Sequence, residues 1–204
     1  MLHRKTVAAS TLDILKQITE IPELFAFNLA GGTSLSLQIG HPLSYDLDFF
    51  GQRPFETQEI LDLLKPVGQV RILSQSKNIL ILNVEGVKVD FVNYIYPIIN
   101  QVLHIEGLRL LDLPDIAAMK LAAIAGRGRK RDFMDIYFLL KKYKLSQLFD
   151  FYNAKFQDGS IFMVSRSLTY FDDADKDEEP MLFKNVEWYK VKETMLKEVQ
   201  KLYT

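Results

Sequence analysis

The sequence predicts an α+β fold, with a mixed sheet and flanking helices followed by a helical C-terminal part. Three observations predict it. Residues 25–50 read as an apolar strand, a glycine turn, a short helix and a second strand. Residues 67–94 hold three more strand-length runs rich in Val, Ile and Leu. From Pro114 onward the composition becomes helical. The expected division is an α/β core over residues 1–112 and a helical part over 113–204 that completes the active site.

In order, Ser10 to Glu20 is a helix with apolar positions Leu12, Ile14, Leu15 and Ile18, ending before Pro22. Phe25 to Ala30 is a strand, Gly31-Gly32 a turn, Leu35 to Gly40 a helix, and the next strand runs to Phe50. Phe55 to Lys65 is helical and stops at Pro66. Val67 to Ser74, Asn78 to Val84 and Val87 to Tyr94 are strands, the last two joined by a tight turn at Glu85-Gly86. Ile105 to Leu111 is one more strand. Helices follow at 114–125, 131–143, 146–157 and 160–171. The acidic stretch Asp172 to Pro180 reads as a solvated loop. A last helix, Val186 to Leu202, carries the stripe Val191, Met195, Val199 and Leu202.

Composition narrows the function classes. The 204 residues are 48% apolar and 25% charged, enough for a sizeable core. No apolar run is long enough for a membrane span, and no secretory signal follows Met1, so a cytoplasmic protein is expected. The absence of cysteine excludes disulfides, thiolate zinc sites and a cysteine nucleophile. A net charge of −1 means that any nucleic-acid contact is a local patch. There is no P-loop, no His-Glu-x-x-His and no Gly-x-Ser-x-Gly.

The chemistry concentrates in a few places. Asp46 and Asp48 share one face of a strand while Leu47 and Phe49 take the other. Adjacent acids repel, whereas a divalent cation bridging to a triphosphate needs them. Gly31-Gly32 lets the backbone approach a ligand, and Thr33 and Ser34 stand at a helix start that favours an anion. Asp90 supplies a third carboxylate from the strand Val87 to Tyr94, or else faces water at a sheet edge. This is the layout of a metal-dependent nucleotidyltransferase, with a divalent cation bridging to a triphosphate.

Lys120 lies on the same helix side as Ile116 and Ile124, where it either snorkels to water or neutralises a phosphate. Arg127, Arg129, Lys130 and Arg131 form a basic run expected to dock an RNA acceptor, or else to act as a solvated turn. Asp132 suits a helix N-terminus. Asp135, in a more apolar setting, pairs with Lys120 or Arg131 or serves as a general base.

Gly31-Gly32-Thr33, Asp46-Leu47-Asp48, Val89-Asp90-Phe91, Lys120 and Arg129 to Asp135 together resemble the AbiEii-type nucleotidyltransferase toxins of bacterial abortive-infection and toxin–antitoxin systems. The resemblance spans about residues 25–143. It implies a polymerase-β-type nucleotidyltransferase fold, Mg²⁺, an NTP donor and a cognate antitoxin partner. It also implies metal ligation by Asp46 and Asp48, with Asp90 as third acid and Lys120 and Asp135 as the essential lysine and late aspartate. Pro42 departs from the arginine that many relatives carry after the histidine, here His41. The chain is also shorter than many such toxins, which points to a different acceptor. The acceptor class stays open between an RNA end, possibly of tRNA, and a protein hydroxyl. The alternatives are a metal-dependent nuclease, disfavoured because a nuclease has no triphosphate to cradle, and a non-catalytic RNA- or protein-binding relative.

Overall fold

Alternating burial along the strands builds one seven-stranded mixed sheet. The computed structural model describes residues 1–40, 44–178 and 186–202. The chain divides into two compact units, Met1–Pro97 with Gln101–Asp112, and Ile98–Asn100 with Leu113–Thr204.

In the first unit a short 3-10 turn, Arg4–Thr6, leads into α1 (Ala9–Glu20), which buries Ile14, Leu15 and Ile18. Pro22 opens a second 3-10 turn, Pro22–Leu24. The turn continues as Phe25 and Phe27 donate to the carbonyls of Pro22 and Leu24. The strand expected over 25–30 therefore shrinks to β1, Asn28–Leu29. α2 (Gly31–Ile39) follows and ends on Gly40 in the left-handed conformation. Next come β2 (Leu47–Gly51), α3 (Thr57–Leu64), β3 (Val70–Gln75), β4 (Ile79–Val84) and β5 (Val87–Asn93). The single strand expected over 105–111 is instead a hairpin of β6 (Leu103–Ile105) and β7 (Leu108–Leu110). Glu106 and Gly107 turn it with φ +54° and +82°, repeating Glu85 and Gly86 at +48° and +87°. Positive φ at both central residues matches the right-handed twist of a two-residue hairpin.

The strand order is β3-β4-β5-β2-β1-β7-β6. β2 runs parallel to β5 and antiparallel to β1, and β1 runs parallel to β7. One sheet face, with Leu47, Phe49, Leu80, Leu82, Val89 and Phe91, packs against α1 and α3 residues in a continuous apolar core. The stacked rings of Phe49 and Phe91, 5.3 Å apart, mark its centre. The acids of β2 and β5 belong to the other face.

The second unit comprises α4 (Leu113–Arg127), α5 (Lys130–Leu139), α6 (Leu145–Lys155), α7 (Ile161–Ser167), a 3-10 turn at Ala174–Lys176 and α8 (Trp188–Gln200). α4 is central, contacting α5, α6 and α7, and α8 packs on α5. In α4, Ile116, Ala117, Ala118, Leu121 and Ile124 are buried, and the small alanines let neighbouring helices approach closely. Asp115 and Lys155 form a fully buried pair at 2.7 Å, and Asp115 also accepts from the backbone N–H groups of Ile99 and Asn100. No helix among the described residues is long and apolar enough to cross a membrane.

Candidate active site

In the first unit, strand periodicity and register bring two of the predicted acids together. β2 and β5 pair residue for residue from Leu47↔Val89 to Gly51↔Asn93, so Asp48 stands opposite Asp90. Their neighbours Leu47, Phe49, Val89 and Phe91 fill the core, which places both carboxylates on the opposite face. Like charges at an interstrand spacing of about 4.8 Å cost roughly 3 kcal/mol at an effective dielectric near 20. A cation near the pair offsets that cost.

Gly31 explains its own place in the sequence. It sits at φ +63°, and a side chain there would collide with the Asp48 carboxylate. The acid therefore lies against the glycine backbone at the start of α2, where first-turn N–H groups lack helical partners. Gly32 follows in that turn.

The helix starts at Gly31 rather than beyond Ser34, and this moves Thr33 and Ser34 inward. Both are fully buried. The Thr33 hydroxyl lies 2.6 Å from the Ser44 hydroxyl and donates to the Asp46 carbonyl. Ser34 accepts from Gln38. The Thr33 side chain ties the segment before β2 to α2, and Ser34 bonds within the helix, so both side chains face inward.

Asp46 precedes β2 and is half-buried. Among the described residues, no three acidic or histidine side chains are drawn together closely enough to hold a metal ion. Asp90 is engaged instead by Lys88, whose ammonium lies 2.7 and 2.6 Å from its two oxygens. The donor set fits a hard divalent cation, being carboxylate oxygens at matched register. A lysine ammonium, itself a cation, is what Asp90 holds here. Sequence reading passed over Lys88, although alternation alone puts it on the face of Asp90. His41 and Pro42 lie outside the described residues.

In the second unit the predicted residues gather into a buried ion cluster. Lys120 is 7% exposed and its amine lies 3.0 Å from Asp132 Oδ1 and 2.5 Å from Asp135 Oδ2. It does not snorkel to water, because two buried carboxylates of α5 hold its amine. Burial alone would lower the Lys120 pKa, but Asp135 and Asp132 outweigh it and raise the ammonium above its ordinary range. Burial pushes Asp132 up, yet Lys120 and Arg127 prevail and hold it below the carboxylate range. For Asp135 burial wins, and its carboxyl is raised despite Lys120. Asp132, read from sequence as an ordinary helix-start acid, is the hub, since Arg127 Nε also donates to it at 3.0 Å.

The basic run is split by the fold. Arg127, Arg129 and Arg131 are exposed, Arg127 while bound to Asp132. Lys130 is 4% exposed, donates to the Asp177 carbonyl at 2.8 Å, and has its amine 5.6 Å from the Trp188 ring centre. It opens α5 facing inward, so it does not share the exposed surface of the three arginines. The acidic stretch is correspondingly more than a solvated loop through Glu178. Asp177 accepts from the Lys130 backbone N–H, and Asp175 from Trp188 and Lys192. Glu179 and Pro180 lie outside the described residues. A separate basic cavity of about 540 Å³, lined by residues including Tyr137, Lys141, Lys142, Tyr143 and Lys144, contains none of the predicted acceptor residues.

Comparison with known proteins matches residues 13–201 to the nucleotidyl transferase AbiEii toxins of type IV toxin–antitoxin systems. An uncharacterized protein of Aquifex aeolicus (strain VF5) is 33% identical over 196 residues, covering 92% of this chain and 93% of that one. Among solved structures, JHP933 from Helicobacter pylori is similar in fold with a TM-score of 0.62 and 20% identity, over 98% of this chain and 90% of that one. MenT4, a nucleotidyltransferase toxin of Mycobacterium tuberculosis, has a TM-score of 0.55 and 14% identity, over 95% and 86%.

Proposed function

The chain belongs to the AbiEii family of nucleotidyltransferase toxins, and from that premise we propose that it transfers a nucleoside monophosphate from an NTP to an RNA acceptor with Mg²⁺ or Mn²⁺. The observation that carries this reading is Asp48 at matched register with Asp90, its carboxylate seated on the side-chain-free Gly31. Asp48 and Asp90 are the proposed metal ligands, and the backbone of Gly31 and Gly32 is the proposed triphosphate cradle. A bound divalent cation supplies charge neutralisation for the triphosphate and orients it.

In the proposed reaction an acceptor hydroxyl attacks the α-phosphorus, the bond to the β-bridging oxygen breaks, and pyrophosphate leaves. The hydroxyl proton passes to a carboxylate. For Lys120 the geometry favours holding Asp135 over reaching for a phosphate. Arg127, Arg129 and Arg131 are the proposed acceptor contacts. A cytoplasmic toxin neutralised by an antitoxin is the biological setting this supports.

The test is to incubate purified protein with each labelled NTP, Mg²⁺ and total RNA. Label is expected on RNA with wild type and not with Asp48→Asn. RNA cleavage without label would replace this reading with the nuclease, and label on protein alone would replace the acceptor.

A further inference from the structure

We propose that Lys88 is a positioning residue of the nucleotide site, holding Asp90 while no metal is bound and passing to the donor triphosphate when a divalent cation arrives. The inference rests on the reading of Asp48 and Asp90 as metal ligands.

Three observations carry it. Lys88 and Asp90 are two residues apart on β5, hence on one face of the sheet, and the ammonium meets both carboxylate oxygens. Asp90 is the register partner of Asp48, and Asp48 abuts Gly31 at the start of α2. Lys88, Asp90, Asp48 and the glycine turn therefore form one continuous line across the sheet and onto a helix N-terminus. Finally, Asp90 is largely covered while Lys88 keeps 37% of its side chain exposed. The acid is fixed and the lysine can move.

The consequence follows from charge. A divalent ion and an ammonium brought together at Asp90 repel each other, so metal binding there drives Lys88 away. The displaced amine, a compact charge on a flexible four-carbon stem, stays at the edge of the proposed cradle, where a triphosphate brings negative charge. Lys88 thus opposes metal binding in the empty protein and favours nucleotide binding once metal is in place. A mere surface ion pair would do only the first.

The experiment is a calorimetric titration of full-length protein, first with Mn²⁺ alone and then with a non-hydrolysable NTP analogue in saturating Mn²⁺. Lys88→Met should bind Mn²⁺ about fivefold more tightly, the scale of a partly exposed ion pair. It should bind the analogue about tenfold or more weakly, the scale of a charged hydrogen bond. Lys88→Arg should keep the wild-type order of both. The opposite signs are the signature, and losing either one in a folded Lys88→Met protein overturns the proposal. Asp48→Asn/Asp90→Asn separates the two levels. If that variant binds Mn²⁺ like wild type, the metal reading fails and this proposal falls with it. If it loses Mn²⁺ while Lys88→Met changes nothing, only Lys88 is misassigned.

Discussion

The two units handle charge in opposite ways. In the first, β2 and β5 set Asp48 beside Asp90 on a partly exposed sheet face, with Lys88 as a nearby cation that keeps access to solvent. In the second, Lys120, Arg127, Asp132 and Asp135 form a set of two positive and two negative groups, three of them buried. A juxtaposition of like charges costs electrostatic energy that a nearby cation offsets. A balanced, dehydrated cluster is complete in itself and costs stability when one member is removed. The same residue types thus stand as a like-charged pair in one unit and as a charge-balanced, mostly buried cluster in the other.

The largest effect that would sharpen this contrast is on catalysis. Asp48→Asn should lower nucleotidyl transfer by about 10³-fold or more, while the thermal midpoint stays level or rises because repulsion with Asp90 is relieved. A large fall in the midpoint would mean that the acid pair is structural and would erase the contrast.

Lys120→Met is the mirror case. It leaves Asp132 and Asp135 buried without their shared cation and should cost about 3–5 kcal/mol in urea unfolding. Adding Asp135→Asn should recover part of that loss. If Lys120→Met instead keeps full stability and raises KM for the NTP with kcat unchanged, the lysine is a phosphate contact, as its sequence position suggested.

Gly31→Ala should reduce kcat by about tenfold to a hundredfold, since a methyl at φ +63° displaces the Asp48 carboxylate. The Ala variant at Gly32, where the nearest atom to an added methyl is the Ser44 hydroxyl at 3.5 Å, is the control. Equal effects at both positions would remove the special role of the Asp48 contact.

The smallest effect is a difference in sign. Asp132 is held below its unfolded pKa, so its contribution to stability is present above the unfolded value, about 3.9, and is lost as pH falls through the folded value. Asp135 is raised, so its contribution is present below about 3.9 and is lost as pH rises through its folded value. Stability against pH, measured for wild type, Asp132→Asn and Asp135→Asn, should show difference curves of opposite slope. Slopes of the same sign would mean that the two acids share one environment.

Local rules made much of the molecule legible. Period-2 alternation in Leu47 to Phe50 and Val87 to Phe91 assigned the faces, and Glu85-Gly86 announced its hairpin. Glu106-Gly107 carried the same signal and was read through, because Ile105 to Leu111 is apolar enough to pass for one strand. The strand over 25–30 was overestimated because apolar residues also suit the turn that Pro22 begins. Helix starts moved by a few residues, and at Gly31 that shift turned Thr33 and Ser34 from solvent to interior.

By itself, then, the sequence determined that Leu47 and Phe49 face the core with Asp48 on the other side, and that a sheet-forming part precedes a helical one. Those properties follow from backbone periodicity and side-chain type, which are local. Only the tertiary structure decided that Asp48 meets Asp90 in register, that Lys88 holds Asp90, that Lys120 is enclosed by two carboxylates and that Lys130 faces Asp177. Each of those outcomes depends on which partner a charge finds. In a protein interior the cost of an unpaired charge exceeds any local preference, so the partner supplied by the fold sets the role.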